Sequence, residues 1–121
     1  MLRKTSAVLG LLAASLMATS ALAHPTLEST SPPADGAASA PTEIKLNFSE
    51  GVISKFSGVD LKDQSGKKIA TGTASTDPKD QKQLVIPLKA PLQAGKYTVD
   101  WHVVSADTHR VKGSYSFKVD R

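Results

Sequence analysis

The second half of the sequence alternates strictly between apolar and polar residues, and this pattern limits the fold more than any other feature. Side chains of a β-strand point to opposite faces in turn, so such a segment buries one face and leaves the other in water. Between residues 97 and 103 one face carries only large apolar side chains, namely Tyr97, Val99, Trp101 and Val103. The opposite face is polar and includes His102. The closing segment repeats the pattern with Tyr115, Phe117 and Val119.

Shorter segments upstream have the same period and predict an all-β fold. The candidate strands are Ile44–Phe48, Val59–Leu61, Lys68–Ala74 and Leu84–Leu88. Proline cannot donate a hydrogen bond to a neighbouring strand, so Pro87 predicts an edge position or an early strand end. We expect residues 31–36 to form a loop between the first two strands and the polar residues 75–83 to form an exposed connection. About seven strands at roughly ten-residue spacing favour a β-sandwich or barrel.

The amino-terminal residues 1–23 have the layout of a secretory signal peptide. A basic start with Arg3 and Lys4 precedes an uncharged run of alanine and leucine, which ends in Ala21-Leu22-Ala23. The small residues at the first and third of these positions suit signal peptidase. A membrane anchor is the alternative, but the apolar run is short against the roughly 20 residues that a spanning helix needs. We therefore expect cleavage after Ala23 and a mature chain that begins with His24.

The composition of the mature chain, residues 24–121, suits one small exported domain. Its 98 residues are enough for one domain and not for two. Because Arg3 and Lys4 leave with the signal, the 15 basic residues fall to 13, against 11 acidic ones. These charges are interspersed, which argues against a nucleic-acid-binding surface. With no cysteine and no later apolar run of spanning length, the sequence predicts a soluble, disulfide-free domain in the bacterial periplasm.

Asp107 and His109 form a first candidate for metal binding. Residues two apart in extended backbone point to the same side, so this carboxylate and this imidazole could reach one ligand together. They follow directly on the long predicted strand that ends near Ser105. Such a pair also arises by chance in many proteins, so the spacing alone does not establish a metal site.

His24 gives the metal hypothesis more weight, because a mature amino-terminal histidine offers both its α-amine and its Nδ1 atom. Together they can close a six-membered chelate ring on one ion, and an α-amine loses its proton near neutral pH. Pro25 has no N–H, so Cu(II) cannot displace a proton from that backbone position and bind there. With Asp107 and His109 the set would be three nitrogens and one oxygen, which suits Cu(II). The alternative is that His24 is a solvated, mobile terminus.

The mature chain resembles the copper-resistance protein C family of bacterial periplasmic copper carriers. The resemblance covers nearly all of it and follows the family's order through His24-Pro25, Ser31–Gly36, Leu46–Glu50, Phe56–Gly58, Ala94–Trp101, Val104–His109 and Gly113–Phe117. It implies a small seven-to-eight-stranded Greek-key β-sandwich or barrel, similar to cupredoxins in topology. It also implies that Cu(II) is bound by the His24 amine and Nδ1, Asp107 and His109, and that Glu50 is a candidate partner of the metal-binding histidines.

One departure from the family concerns Cu(I). Many members carry a methionine-rich loop, whereas Met1 and Met17 of this chain both lie in the predicted signal peptide. The corresponding region, roughly 62–83, contains lysine, aspartate, glutamine, serine and threonine instead. Because Cu(I) prefers soft sulfur ligands, we expect a single site that holds Cu(II) only.

The leading interpretation is a monomeric, non-catalytic Cu(II) carrier that serves copper resistance, storage or delivery to an inner-membrane copper transporter. A copper-dependent oxidase of the lytic polysaccharide monooxygenase type is a second possibility, since those enzymes also use an amino-terminal histidine. A third is a metal-free β-sandwich interaction module. His102 is expected to be an exposed surface histidine, while Phe48, Tyr97, Trp101 and Phe117 are expected in the core.

Overall fold

The structure is a computed structural model that describes residues 24–120, and these residues form two β-sheets packed face to face. The predicted signal peptide, residues 1–23, lies outside the described residues. Nine strands follow one another along the chain: β1 (Leu27–Ser31), β2 (Ala37–Ser39), β3 (Glu43–Phe48), β4 (Gly58–Asp63), β5 (Lys68–Ile69), β6 (Ser75–Asp77), β7 (Asp80–Pro87), β8 (Gly95–Val104) and β9 (Arg110–Asp120). A short 3₁₀ turn, Ser54–Phe56, precedes β4. None of the helical structure within residues 24–120 is long and apolar enough to cross a membrane.

The chain crosses between the two sheets several times, and the two sheets face each other as a sandwich. One sheet has the strand order β1-β3-β7-β6 and the other the order β2-β9-β8-β4-β5. The pairings are antiparallel, except that β2 runs parallel to β9. The predicted all-β sandwich is therefore confirmed, with short strands β2, β5 and β6 raising the number from about seven to nine.

Two predicted segments were wrong in detail. The predicted strand Lys68–Ala74 ends after Ile69, and only an isolated bridge between Thr71 and Leu88 continues the pairing. The expected exposed connection at residues 75–83 is instead a hairpin, in which β6 pairs with the start of β7. Its side chains are mostly exposed, so no hydrophobic alternation indicated these strands. Pro87 is the last residue of β7, as an early strand end requires.

The alternating apolar residues meet between the sheets and form the core. Fully or nearly buried side chains are Ile44, Leu46, Phe48, Val52, Leu61, Leu84, Ile86, Tyr97, Val99, Trp101, Val103, Phe117 and Val119. Burial of one such side chain stabilises a fold by about 1.5–3 kcal/mol, so this cluster is the main stabilising feature of a domain without disulfides.

Trp101 packs at the end of the core where the candidate ligands lie. Its ring meets Phe48 of the facing sheet edge-on, with ring centres 5.3 Å apart and planes at 67°. On the neighbouring strand it lies against Gly113, where a Cβ atom would stand only 2.5 Å from Trp101 Cζ2. Glycine at this position therefore gives the indole its room.

Candidate metal centre

The predicted ligands come from two distant segments that meet at one end of the sandwich. Asp107 and His109 lie in the loop of residues 105–109, between β8 and β9. His24 lies three residues before β1.

The 105–109 loop is organised around Ser105, whose side chain is completely buried. The Ser105 hydroxyl donates a hydrogen bond to Asp107 Oδ1 and accepts one from the backbone N–H of His109 at 3.1 Å. The backbone closes the same turn, since Ser105 N–H donates to His109 C=O and Thr108 N–H donates to Ser105 C=O, each at 2.8 Å. One serine thus fixes the positions of both candidate ligands.

Neighbouring backbone attaches this loop to the rest of the domain. Ser105 pairs with Val52 in an isolated antiparallel bridge, and Ala106 N–H donates to Gly51 C=O at 3.1 Å. Thr108 has a φ of 70°, a left-handed conformation that turns the chain back toward β9. The loop is therefore attached on the side of the 51–52 segment as well as by its own hydrogen bonds.

Asp107 and His109 are in direct contact, with His109 Nδ1 lying 2.9 Å from Asp107 Oδ1. Hydrogen bonds from Ser105 and then from His109 lower the pKa of Asp107 to about 2. An ionised carboxylate only accepts hydrogen bonds, so His109 Nδ1 carries the proton and donates. In the neutral imidazole, Nε2 then has the lone pair and is the nitrogen that Asp107 leaves open.

The His24 segment is held against the end of β3. Thr26 N–H donates to Ser49 Oγ at 2.8 Å, and Ser49 N–H donates back to Thr26 C=O at 2.8 Å. Pro25 is fully buried, whereas His24 is exposed. Beyond lacking an N–H, Pro25 therefore anchors the chain, and the two hydrogen bonds to Ser49 restrict where His24 can reach.

These anchors bring the His24 and His109 rings within 5.2 Å of each other, centre to centre, with their planes at 81°. A metal–nitrogen bond is about 2 Å long, so two imidazoles on one ion have ring centres roughly 4–6 Å apart. The observed separation fits a shared ion. Within residues 24–120, however, no group of three His, Cys, Asp and Glu side chains is arranged to hold an ion. The expected side chains of His24, Asp107 and His109 therefore do not form a ready-made ion site in this structure, where Asp107 instead contacts His109 Nδ1.

Two other residues considered in the sequence lie outside this contact. Glu50 is half-buried just after β3, and no ion pair within residues 24–120 joins it to either histidine. His102 is exposed on the face of β8 opposite the buried Trp101, where its ring lies over Gly58. The expected surface position of His102 agrees with its place in the fold.

Sequence reasoning gave no role to Ser49 or Ser105. The spacing of Ser105, Asp107 and His109, each two residues apart, could have indicated a hydrogen-bonded loop. Short serine and aspartate side chains commonly form hydrogen bonds with nearby backbone groups. Ser49 had no comparable signal. Its partner Thr26 is 23 residues away, and only the pairing of β1 with β3 brings them together.

A small β-sandwich that brings two imidazoles and a carboxylate together at one end has the donor groups that metal-binding domains use. Comparison with known proteins identifies the family. Residues 27–120 match the family model described as the CopC domain. The chain therefore belongs to the CopC family.

Related proteins align with this chain over most of their length. Protein YobA of Escherichia coli K12 is 46% identical over 112 residues, which cover 92% of this chain and 90% of YobA. Copper resistance protein C of Escherichia coli is 46% identical over 109 residues, covering 85% of this chain and 86% of that protein. The crystal structure of PcoC, described as a methionine-rich copper resistance protein from Escherichia coli, matches with a TM-score of 0.72 and 44% identity, covering 81% of this chain and all of PcoC.

Proposed function

We propose that this chain, after cleavage behind Ala23, is a periplasmic Cu(II) carrier. The observation that carries the proposal is the meeting of His24 and His109, whose rings lie 5.2 Å apart although 85 positions separate them in sequence. Membership of the CopC family supports copper as the cargo. The proposed mature form is residues 24–121, and the carrier acts as a monomer.

The proposed donors for Cu(II) are the His24 amine, His24 Nδ1, His109 and a carboxylate oxygen of Asp107. On His109 the proposed donor is Nε2, because Asp107 holds Nδ1 in this structure. A carboxylate on Nδ1 points away from an ion on Nε2 of the same ring, so Asp107 leaves Nδ1 when it binds the Cu(II). This set of three nitrogens and one oxygen suits the tetragonal geometry of Cu(II). The chelate needs a free amine at residue 24, so signal cleavage and site assembly are one event in this proposal.

Glu50 is proposed as a supporting residue for the histidines. It is half-buried next to Ser49, whose hydrogen bonds hold the His24 segment. Imidazoles bound to metals usually donate their second N–H to a carboxylate or carbonyl group. Ser49 holds the His24 segment, so His24 is the histidine proposed to donate to Glu50.

The proposed oxidation state follows from the ligand types. PcoC is described as methionine-rich, whereas the two methionines of this chain are Met1 and Met17, both within the proposed signal peptide. Nitrogen and oxygen donors favour Cu(II), and Cu(I) would find no sulfur ligand in residues 24–121.

Competition titrations with Cu(II) and Cu(I) chelators on the processed protein test this proposal. We expect one tight Cu(II) site and no tight Cu(I) site. A tight Cu(I) site, or no Cu(II) uptake, would overturn it. The second outcome is also what a metal-free interaction module would give.

The proposed destination of the copper is an inner-membrane transporter, with resistance or storage as the accompanying role. A carrier must release its ion, and a site open to solvent on one side suits exchange with an acceptor. In the alternative, a copper-dependent oxidase, the loaded protein would produce peroxide in the presence of ascorbate. We expect no production above that of the free ion, because Asp107 would occupy a position that oxygen chemistry needs.

A further inference from the structure

A groove beside the metal-site loop is formed by residues that the copper site does not use. It has a volume of about 670 Å³ and lies at the copper end of the sheet that contains β8 and β9. We call it the Phe56 groove. Its lining includes Phe56, His102, Val104, Thr108, Arg110 and Lys112.

Phe56 is the one large hydrophobic side chain exposed within residues 24–120, with 56% of its surface accessible. Its backbone is nevertheless held firmly. Phe56 N–H donates to Ile53 C=O at 3.0 Å, and Ile53 N–H donates to Val104 C=O of β8 at 2.8 Å. Ser57 Oγ adds a further link, since it accepts from Val104 N–H at 3.1 Å. A single exposed aromatic ring is common on surfaces, but this one is presented by a turn bonded to the sheet.

The charged side chains that line the groove or lie beside the Phe56 ring are positive. Lys55 Nζ lies 6.0 Å from the centre of the Phe56 ring, and Arg110 and Lys112 line the groove. None of these three makes an ion pair within residues 24–120.

Elsewhere on the same sheet face some of the lysines are paired with acidic side chains. Asp100, two residues from His102 on β8, pairs with Lys62 at 3.0 Å, and Asp60 pairs with Lys68 at 3.5 Å. The acidic partners on this face therefore lie outside the groove, whereas the charged side chains that line the groove are positive and unpaired within residues 24–120. Unpaired charge next to an apolar contact steers and orients a partner of opposite sign.

The groove is continuous with the metal centre. Arg110 lines the Phe56 groove and also a second, shallower groove that contains His24 and Trp101. Thr108 and Arg110 are the two sequence neighbours of His109. A molecule bound at Phe56 would therefore stand beside the candidate ligands.

We propose that the Phe56 groove is the docking surface for a copper-exchanging protein that presents carboxylates around an apolar side chain. The inference rests on the proposed function only in taking copper exchange as the reason for docking. Positive charge around the groove disfavours pairing with the same groove of a second copy, because like charges would then face each other. A concave site around one aromatic ring favours an inserted side chain over a lipid surface.

The test uses a fluorescein-labelled peptide of alternating glutamate and leucine as the probe, with the full processed protein. Binding is followed by fluorescence anisotropy. Phe56→Ala should weaken peptide binding about tenfold, as loss of a central aromatic contact does. Phe56→Leu should restore most of the affinity. Lys112→Glu should weaken binding and reduce its dependence on salt.

Lys118→Glu is the matched control, because Lys118 is exposed on the same face of β9 but far from the groove. An equal effect at residues 112 and 118 would overturn the proposal, since it would show only general charge attraction. Phe56-dependent binding to phosphatidylglycerol vesicles without peptide binding would also overturn it, as would Phe56-dependent self-association in sedimentation. Copper affinity of each variant is measured separately. If the unaltered protein binds Cu(II) but Phe56→Ala does not change peptide binding, only the docking surface is rejected. If the unaltered protein does not bind Cu(II) at all, the carrier function is rejected.

Discussion

The two segments that supply the candidate ligands are held in different ways. The 105–109 loop is bonded mainly to itself, through the buried hydroxyl and the backbone of Ser105. The His24 segment is held from outside, by two hydrogen bonds to Ser49 and by burial of Pro25. One half of the candidate site is thus formed by the fold, and the other half is a chain end in the proposed processed protein. This division implies that substitutions in the two halves should weaken copper binding for different reasons.

The largest expected effect follows removal of either imidazole. His24→Ala removes one nitrogen and the chelate ring, and His109→Ala removes the nitrogen that the loop presents. Each change should lower Cu(II) affinity by several orders of magnitude, as measured by chelator competition on processed protein. His102→Ala is the matched histidine control and should leave the affinity nearly unchanged. If it proves as damaging as His109→Ala, the proposed ligand set is wrong.

Removal of the Asp107 carboxylate should have a smaller effect, about 10- to 100-fold in Cu(II) affinity, because water can partly replace an oxygen ligand. Asp107→Asn keeps an acceptor for His109 Nδ1 but loses the negative charge. If Asp107 binds copper itself, the Asn and Ala variants should be similarly weak. Recovery of full affinity in Asp107→Asn would show that the residue only orients His109.

The pH dependence separates these groups further. The pKa of Asp107 is about 2, below its usual range, so its carboxylate stays ionised in mild acid. Its ionised form contributes to stability above the unfolded pKa and loses that contribution only as pH falls toward 2. Copper release in mild acid must therefore come from protonation of the amine and imidazoles. Affinity of the Asp107→Asn variant should fall with pH in parallel with that of the unaltered protein.

The smallest effects on Cu(II) affinity should come from replacing Ser105 or Ser49 by alanine, and the two replacements should differ in size. Ser105→Ala leaves Asp107 and the His109 N–H without their shared partner, so Cu(II) affinity should fall about tenfold. Unfolding in urea should show a loss of about 1–2 kcal/mol for a buried hydrogen-bonding group. Ser49→Ala keeps the bond from its own N–H to Thr26, so its effect on affinity should be smaller. The reverse order would show that the terminus, not the loop, is the half fixed by the fold.

The strands with a buried face could be predicted because burial forces alternation, as in residues 97–103. The β6–β7 hairpin could not, since most of its residues are exposed and exposure imposes no apolar period. Parallel pairing of the three-residue strand β2 with β9 also has no local signal, because it depends on contacts about 80 residues apart.

The candidate ligands could be named from residue chemistry, since His24, Asp107 and His109 stand out by type and position. Their supports could not all be named. The role of Ser105 is local and has a recognisable spacing, but the bond between Thr26 and Ser49 depends on strand register. Exposure of Phe56 was equally hidden, because an aromatic residue in a short turn gives no indication of whether it packs inward.

The central claim is that the free amine of His24 completes a Cu(II) site begun by the loop. The most direct measurement compares Cu(II) affinity of the processed protein with that of the same protein carrying one additional alanine before His24, with electron spin resonance spectra of both. We expect the extended protein to bind Cu(II) more weakly by several orders of magnitude and to show fewer nitrogen donors. Equal affinity and identical spectra would contradict the claim.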